Sequence, residues 1–118
     1  MKLVDRSGKE INVKIHKYLA KKKGRSKSKF QSEIKQDLFK DYPHDLIYEE
    51  VLIPKENFVL DFFIPSVSIV VECHGRQHTE HVKFFHKTKR DFNDQVHRDI
   101  KKREWCEINN LRLIEIYC

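Results

Sequence analysis

Phe58-Val59-Leu60-Asp61-Phe62-Phe63-Ile64-Pro65-Ser66-Val67-Ser68-Ile69-Val70-Val71-Glu72-Cys73-His74 is the most apolar segment of an otherwise polar chain. Two runs rich in Val, Ile and Phe flank a tight connection at Pro65-Ser66-Val67, so residues 58–64 and 68–74 read as neighbouring strands. Both runs are apolar enough to be buried on two faces, which places them at the centre of a sheet. Each nevertheless carries one acid. A carboxylate in a buried strand must be paired, metal-bound or neutralised, because leaving it bare costs several kcal/mol. Antiparallel pairing across the short connection brings Asp61 and Glu72 near one another, where like charges repel unless a cation lies between them. His74 stands two residues beyond Glu72 and shares its face, while Cys73 points to the other.

Outward from this pair the period changes. Residues 46–53 alternate as a strand, with a turn at 54–57 before the next. Upstream, Phe30, Ile34 and Leu38 recur every four residues until Tyr42-Pro43, and Ser28 followed by Gln31 forms a capping box; a helix is expected over 29–42. Residues 2–5 and 10–15 read as a short hairpin turning at Ser7-Gly8. Between hairpin and helix lies Lys21-Lys22-Lys23-Gly24-Arg25-Ser26-Lys27-Ser28-Lys29, which reads either as a solvated linker or as a flexible arm on phosphates.

Beyond Gly75, residues 75–90 read as an irregular basic loop containing His78, His81, His86, Phe84 and Phe85. From Asp91 the helical period resumes with Phe92, Val96 and Ile100 inward and the face continuing toward Cys106; Asn109-Asn110 ends it, and 111–117 form a last strand. The expected fold is α/β: a short N-terminal hairpin and basic linker over 1–27, then a domain over 28–118 in the order α-β-β-β-α-β, with a mixed four-stranded sheet flanked by helices.

The chain has 118 residues, enough for one hydrophobic core, and 24 Lys+Arg against 18 Asp+Glu give a net charge of +6. That balance favours a polyanionic partner, nucleic acid first. Three cysteines without a C-x-x-C pair fit a reducing, intracellular setting, and no stretch is apolar enough to span a membrane.

Asp61, Glu72 and His74 read as sharing one surface, and the two carboxylates with open water positions suit Mg²⁺ or Mn²⁺, hard ions that accept phosphate oxygens and activate water for phosphodiester hydrolysis. The competing reading pairs Asp61 and Glu72 with basic residues such as Arg76 or Lys101 and leaves His74 a surface histidine. A zinc site from Cys73, His74, His78 and Cys106 is disfavoured, because Cys73 and His74 face opposite sides of a strand. Cys73 and Cys106 fit core positions, and Trp105 fits packing over the sheet.

An acid-bearing strand, a turn, then a strand ending in Glu72-Cys73-His74 resembles the core of the PD-(D/E)xK, or restriction-endonuclease-like, nuclease superfamily. The runs Leu60-Asp61-Phe62-Phe63-Ile64-Pro65 and Val71-Glu72-Cys73-His74-Gly75-Arg76-Gln77-His78 are similar to its branch of very-short-patch repair endonucleases and phage-type EDxHD homing endonucleases. The resemblance covers residues 28–117. It implies a restriction-endonuclease-like sheet, a divalent metal on Asp61 and Glu72, an acid from the first helix at Glu33, a histidine after the third strand at His78 and an acid on the last helix at Asp99. Two departures stand out: His74 occupies the position where the superfamily has Lys, and Leu60 precedes Asp61 in place of Pro.

The expected function is Mg²⁺-dependent endonuclease action on DNA in an intracellular setting, an infected host cell if the resemblance holds. Lys21, Lys22, Lys23, Arg25, Lys27, Lys29, Arg76, Lys83, Lys87, Lys89 and Arg90 are the candidate phosphate contacts. A single domain offers one active site and nicks unless it pairs as a homodimer. The alternative is a non-catalytic nucleic-acid-binding module on the same fold.

Overall fold

The structure, a computed structural model, describes residues 1–75 and 89–118, with side chains throughout except at 89–92. Its elements are β1 (Lys2–Val4), β2 (Glu10–Asn12), α1 (Lys29–Asp41), β3 (Tyr48–Ile53), β4 (Phe58–Ile64), β5 (Ile69–His74), α2 (Lys89–Ile108) and β6 (Arg112–Tyr117), with 3-10 turns at Ile15–Tyr18 and Pro65–Val67. β1 and β2 form an antiparallel hairpin, and the other strands form a mixed sheet in the order β3-β4-β5-β6. The first three are antiparallel neighbours, while β6 lies parallel to β5. That last pairing needs a crossover, and α2 lies within it.

The expected order of elements is present among the described residues, with boundaries moved by up to three residues; the second hairpin strand, expected over 10–15, ends at Asn12, and Ile15 opens a 3-10 turn. Ser28 caps α1 by accepting from the Gln31 amide at 3.1 Å. Only half of the capping box forms, because the Gln31 side chain turns away to Glu49 and Glu50.

Two apolar clusters cover the sheet. One joins Leu3, Ile11, Val13 and Ile15 to Val51, Ile53, Phe58, Leu60, Phe63, Val70, Trp105 and Cys106. The hairpin therefore shares a core with the sheet and with the C-terminal half of α2. The other joins Ile34 and Leu38 of α1 to Phe62, Ile64, Ile69, Val71 and Cys73. Trp105 is fully buried, edge-on to Phe58 with ring centroids 5.9 Å apart, as expected for a packing residue.

α2 corrects the expected phase. Val96 and Ile100, expected inward, are exposed at 38% and 41%. Trp105 and Cys106 set the buried face, and at about 100° per residue Val96 falls opposite Trp105. The Phe92 side chain lies outside the described residues, as do His81, His86, Phe84 and Phe85.

The basic run is neither a free linker nor a loose arm. Ala20 donates its amide to the Ile47 carbonyl at 2.9 Å, and Leu19 bridges to Tyr48. The Lys35 ammonium holds the Gly24 carbonyl at 2.6 Å, Gln36 holds the Lys22 carbonyl at 2.9 Å, and the Ser26 amide donates to Ser32 Oγ at 3.1 Å. Backbone fastened at this many points is ordered against α1 and β3.

Candidate functional site

The site forms where the sheet ladder opens. β4 and β5 pair from Ile64–Ile69 to Phe62–Val71 and stop one residue short of Asp61 and Glu72. On the other side, β3 and β4 pair at Glu49–Phe62 and Val51–Leu60 but skip Glu50–Asp61, because Glu50 takes a left-handed backbone with φ 55°. The pleat changes parity there: Leu60 and Phe63 pack in one cluster, Phe62 in the other. Side chains replace the missing ladder. Asp61 donates its amide to Glu72 Oε2 at 2.7 Å, and the Cys73 amide donates to Asp61 Oδ2 at 2.8 Å.

Both acids are buried, Asp61 at 5% and Glu72 at 3% exposure. Each carries a lysine, and the lysines come from opposite faces. Lys27, from the basic run, reaches Asp61 Oδ1 at 3.2 Å and Glu50 at 3.7 Å; Lys102, from α2, reaches Glu72 Oε1 at 2.5 Å. These are the ion pairs of the competing reading, made by different lysines; Lys101 is not the partner, and Arg76 lies outside the described residues. Even so, burial and the neighbouring Asp61 charge outweigh Lys102 and push the Glu72 carboxyl up to about 7. Burial, reinforced by the charges of Asp61 and Glu72, also pushes the Cys73 thiol up, and burial with the Glu72 charge raises Cys106 to about 12. Both cysteines stay protonated, as core positions should.

Two further groups flank the acids. Under the basic run, Glu49 accepts from Ser26 Oγ at 2.5 Å, Gln31 Nε2 at 3.0 Å and the buried Lys35 ammonium at 3.3 Å. At the far end of β5, His74 Nε2 meets Glu115 Oε1 at 3.0 Å and its ring stacks on Tyr117 at 4.8 Å. Arg103 also binds Glu115, at 3.0 Å, and that bond raises the guanidinium's pKa. His74 is only 3% exposed and is no surface histidine.

The structure thus brings Asp61, Glu72 and Lys27 together. His74 shares the α2-facing side of β5 with Glu72. Asp99 is half-buried one turn before Lys102. Glu33 is exposed; the α1 face toward the sheet presents Gln31, Ile34, Lys35 and Leu38 instead. His78, Arg76, Lys83 and Lys87 lie outside the described residues, as do the side chains of Lys89 and Arg90. Lys21, Lys22, Lys23, Arg25, Lys27 and Lys29 are all exposed along the ordered run. Sequence reasoning missed Lys102, Glu115, Glu49, Gln31 and Lys35. Glu115 carried the same signal as Asp61 and Glu72, an acid inside an apolar strand. Lys102 carried none, since a lysine on a polar helix says nothing of what it reaches.

Among the described residues no group of three or more His, Cys, Asp and Glu is placed to hold a metal ion, and no helix is long and apolar enough to cross a membrane. A metal held here would rest on two protein carboxylates. Two carboxylates are a donor type that Mg²⁺ takes, but each of their four oxygens already meets a lysine ammonium or a backbone amide, so an ion would enter by displacing Lys27 or Lys102.

Comparison with known proteins places similar chains in viruses. The chain is 40% identical over 60 residues to uncharacterized protein 307L of Invertebrate iridescent virus 6, covering 51% of this chain and 30% of that protein. It is 38% identical over 64 residues to uncharacterized protein 033L of Invertebrate iridescent virus 3, covering 54% and 33%. With uncharacterized protein 094L of Frog virus 3 (isolate Goorha) the identity is 41% over 58 residues, covering 48% and 37%. The chain spans about a third of the length of these relatives. No family model matches it, and no solved structure matches it.

Proposed function

We propose that this chain is a metal-dependent DNA endonuclease of the restriction-endonuclease-like class, with Mg²⁺ or Mn²⁺ held between Asp61 and Glu72. The observation that carries the reading is the meeting of two buried carboxylates on adjacent strands at the point where the ladder opens. A structural ion pair lowers the pKa of its acid. Glu72 is instead raised, by burial first and the Asp61 charge second, although Lys102 is already against it. A divalent ion at the two carboxylates would favour their charged forms against that burial.

When bound, such an ion lowers the pKa of its water and stabilises the leaving oxygen of the phosphodiester. Around it, Lys27 and Lys102 hold ammonium groups at the two carboxylates and have phosphate oxygens as alternative partners. His74, oriented by Glu115, and His78 are the proposed groups for proton transfer or phosphate stabilisation, with Glu33 and Asp99 in secondary roles. DNA is the proposed substrate, an infected cell the proposed setting, and a homodimer the arrangement for cutting both strands. The second reading, a non-catalytic nucleic-acid-binding module, is favoured by the lysine already on each acid.

Incubation of the purified chain with plasmid, mismatched and branched DNA in Mg²⁺ or Mn²⁺ separates the two. The nuclease reading expects cleavage by the wild type, with Asp61→Asn and Glu72→Gln each inactive yet still binding DNA. A wild type that binds DNA and cuts none of these substrates hands the function to the binding module.

A further inference from the structure

Beside the acid pair lies a cleft of about 260 Å³, walled by the 3-10 turn Ile15–Tyr18 on one side and the fastened basic run on the other. Five cationic side chains line it against two acidic ones. The acids are already engaged: Glu49 takes Ser26, Gln31 and Lys35, and Glu50 takes Gln31 and Lys27. Lys35 is buried and spends its ammonium on Gly24 and Glu49. Lys17, Lys21 and Arg25 are exposed and make no ion pair among the described residues; Lys17 lies over the Tyr18 ring at 5.1 Å from its centroid. The cleft thus carries surplus positive charge on an ordered wall, and Lys27 joins it to Asp61.

We propose that this cleft is the track for the phosphate backbone of one nucleic-acid strand, gripped by Lys17, Lys21 and Arg25 and delivered to the acid pair at Lys27. The proposal rests on the nucleic-acid half of the reading above and adds where the strand runs. Fixed backbone distinguishes it from an arm: the contacts belong to the side chains facing the cleft and not to every charge in the run. Lys22, Lys23 and Lys29 lie outside its lining. Lys17, from the segment next to the hairpin, belongs to the interface although it precedes the basic run.

The test compares two triple variants of the whole chain, Lys17→Ser/Lys21→Ser/Arg25→Ser in the cleft and Lys22→Ser/Lys23→Ser/Lys29→Ser outside it. Both remove the same charge from exposed positions, where folding is little disturbed; thermal melts confirm it. Binding to labelled oligonucleotides is followed by fluorescence anisotropy in EDTA over a salt series. The cleft triple should flatten the slope of log K against log salt by about 0.9 per lost contact on duplex or about 0.7 on single strands, and the outer triple should leave it near wild type. Equal losses in both triples would overturn the track and leave only general charge attraction. A cleft triple that binds like wild type would also overturn it, with the metal-site reading untouched. Wild type with no affinity for either nucleic acid would remove both.

Discussion

The Asp61 amide donates to the Glu72 carboxylate at 2.7 Å while the Asp61 carboxylate receives the amide of Cys73 at 2.8 Å, so each acid completes the other strand's backbone. Two groups that repel are therefore locked together by the hydrogen bonds that close the sheet. The repulsion is built into the fold and is offset in part by the Lys27 and Lys102 ammonium groups.

Stability should register the burial of Glu72, and after it the Asp61 charge, through pH. The Glu72 carboxyl is raised from 4.5 to about 7 in the fold, so the native state holds a proton that the unfolded chain has released. This group's contribution is present below the unfolded value and is lost as pH rises through the folded one. Relative to Glu72→Gln, wild type should lose on the order of 2 kcal/mol between about pH 5 and about pH 8 in urea unfolding. Mg²⁺ should restore wild type at the higher pH and not the variant. Parallel profiles for the two proteins would refute this account of Glu72.

Removing Lys102 should cost more at high pH than at low. Lys102→Met leaves Glu72 buried beside Asp61 with its nearest ammonium gone. At low pH the acid is protonated in both proteins; as pH rises above about 7 wild-type Glu72 ionises against Lys102, while the variant, lacking the charge that lowers it, holds its proton or buries a bare charge, which should cost on the order of 3 kcal/mol at high pH. Chemical unfolding at two pH values measures the difference, and a cost independent of pH would show that Lys102 acts by packing alone.

Lys27 competes for the position a metal would take at Asp61. Its side chain is 62% exposed, so the pair is weak and readily exchanged. Lys27→Met should bind Mn²⁺ several-fold more tightly than wild type by calorimetry without nucleic acid. Unchanged or weaker Mn²⁺ binding would argue that the ammonium and the ion do not share a position.

The hairpin should behave as core and not as an appendage. Ile11 and Val13 are 4% and 1% exposed in the same cluster as the sheet. Ile11→Ala should therefore cost about 2–4 kcal/mol, with unfolding still a single transition. A cost under about 0.5 kcal/mol would mean that the hairpin contributes little to the common core.

The chain's periodicities alone determined the element order, the central pair of strands and the nearness of Asp61 to Glu72. These depend on near neighbours: a cap at Ser28, a stop at Pro43, and a short connection that leaves two apolar runs one way to pair. The two acids stood out because a charge in a buried strand is conspicuous in any context. Tertiary structure alone decided their partners. Lys27 and Lys102 lie 34 residues before Asp61 and 30 after Glu72, on long flexible side chains whose targets no local pattern encodes. It also decided that Val96 and Ile100 face out, because Trp105 and Cys106 dock the helix and rotate the rest of it. The basic run took its order from Lys35, Gln36 and Ser32 on α1, which hydrogen-bond its backbone across the chain. Charge density in sequence says that a segment will avoid a core; whether it is fastened depends on what the fold brings against its carbonyls and amides.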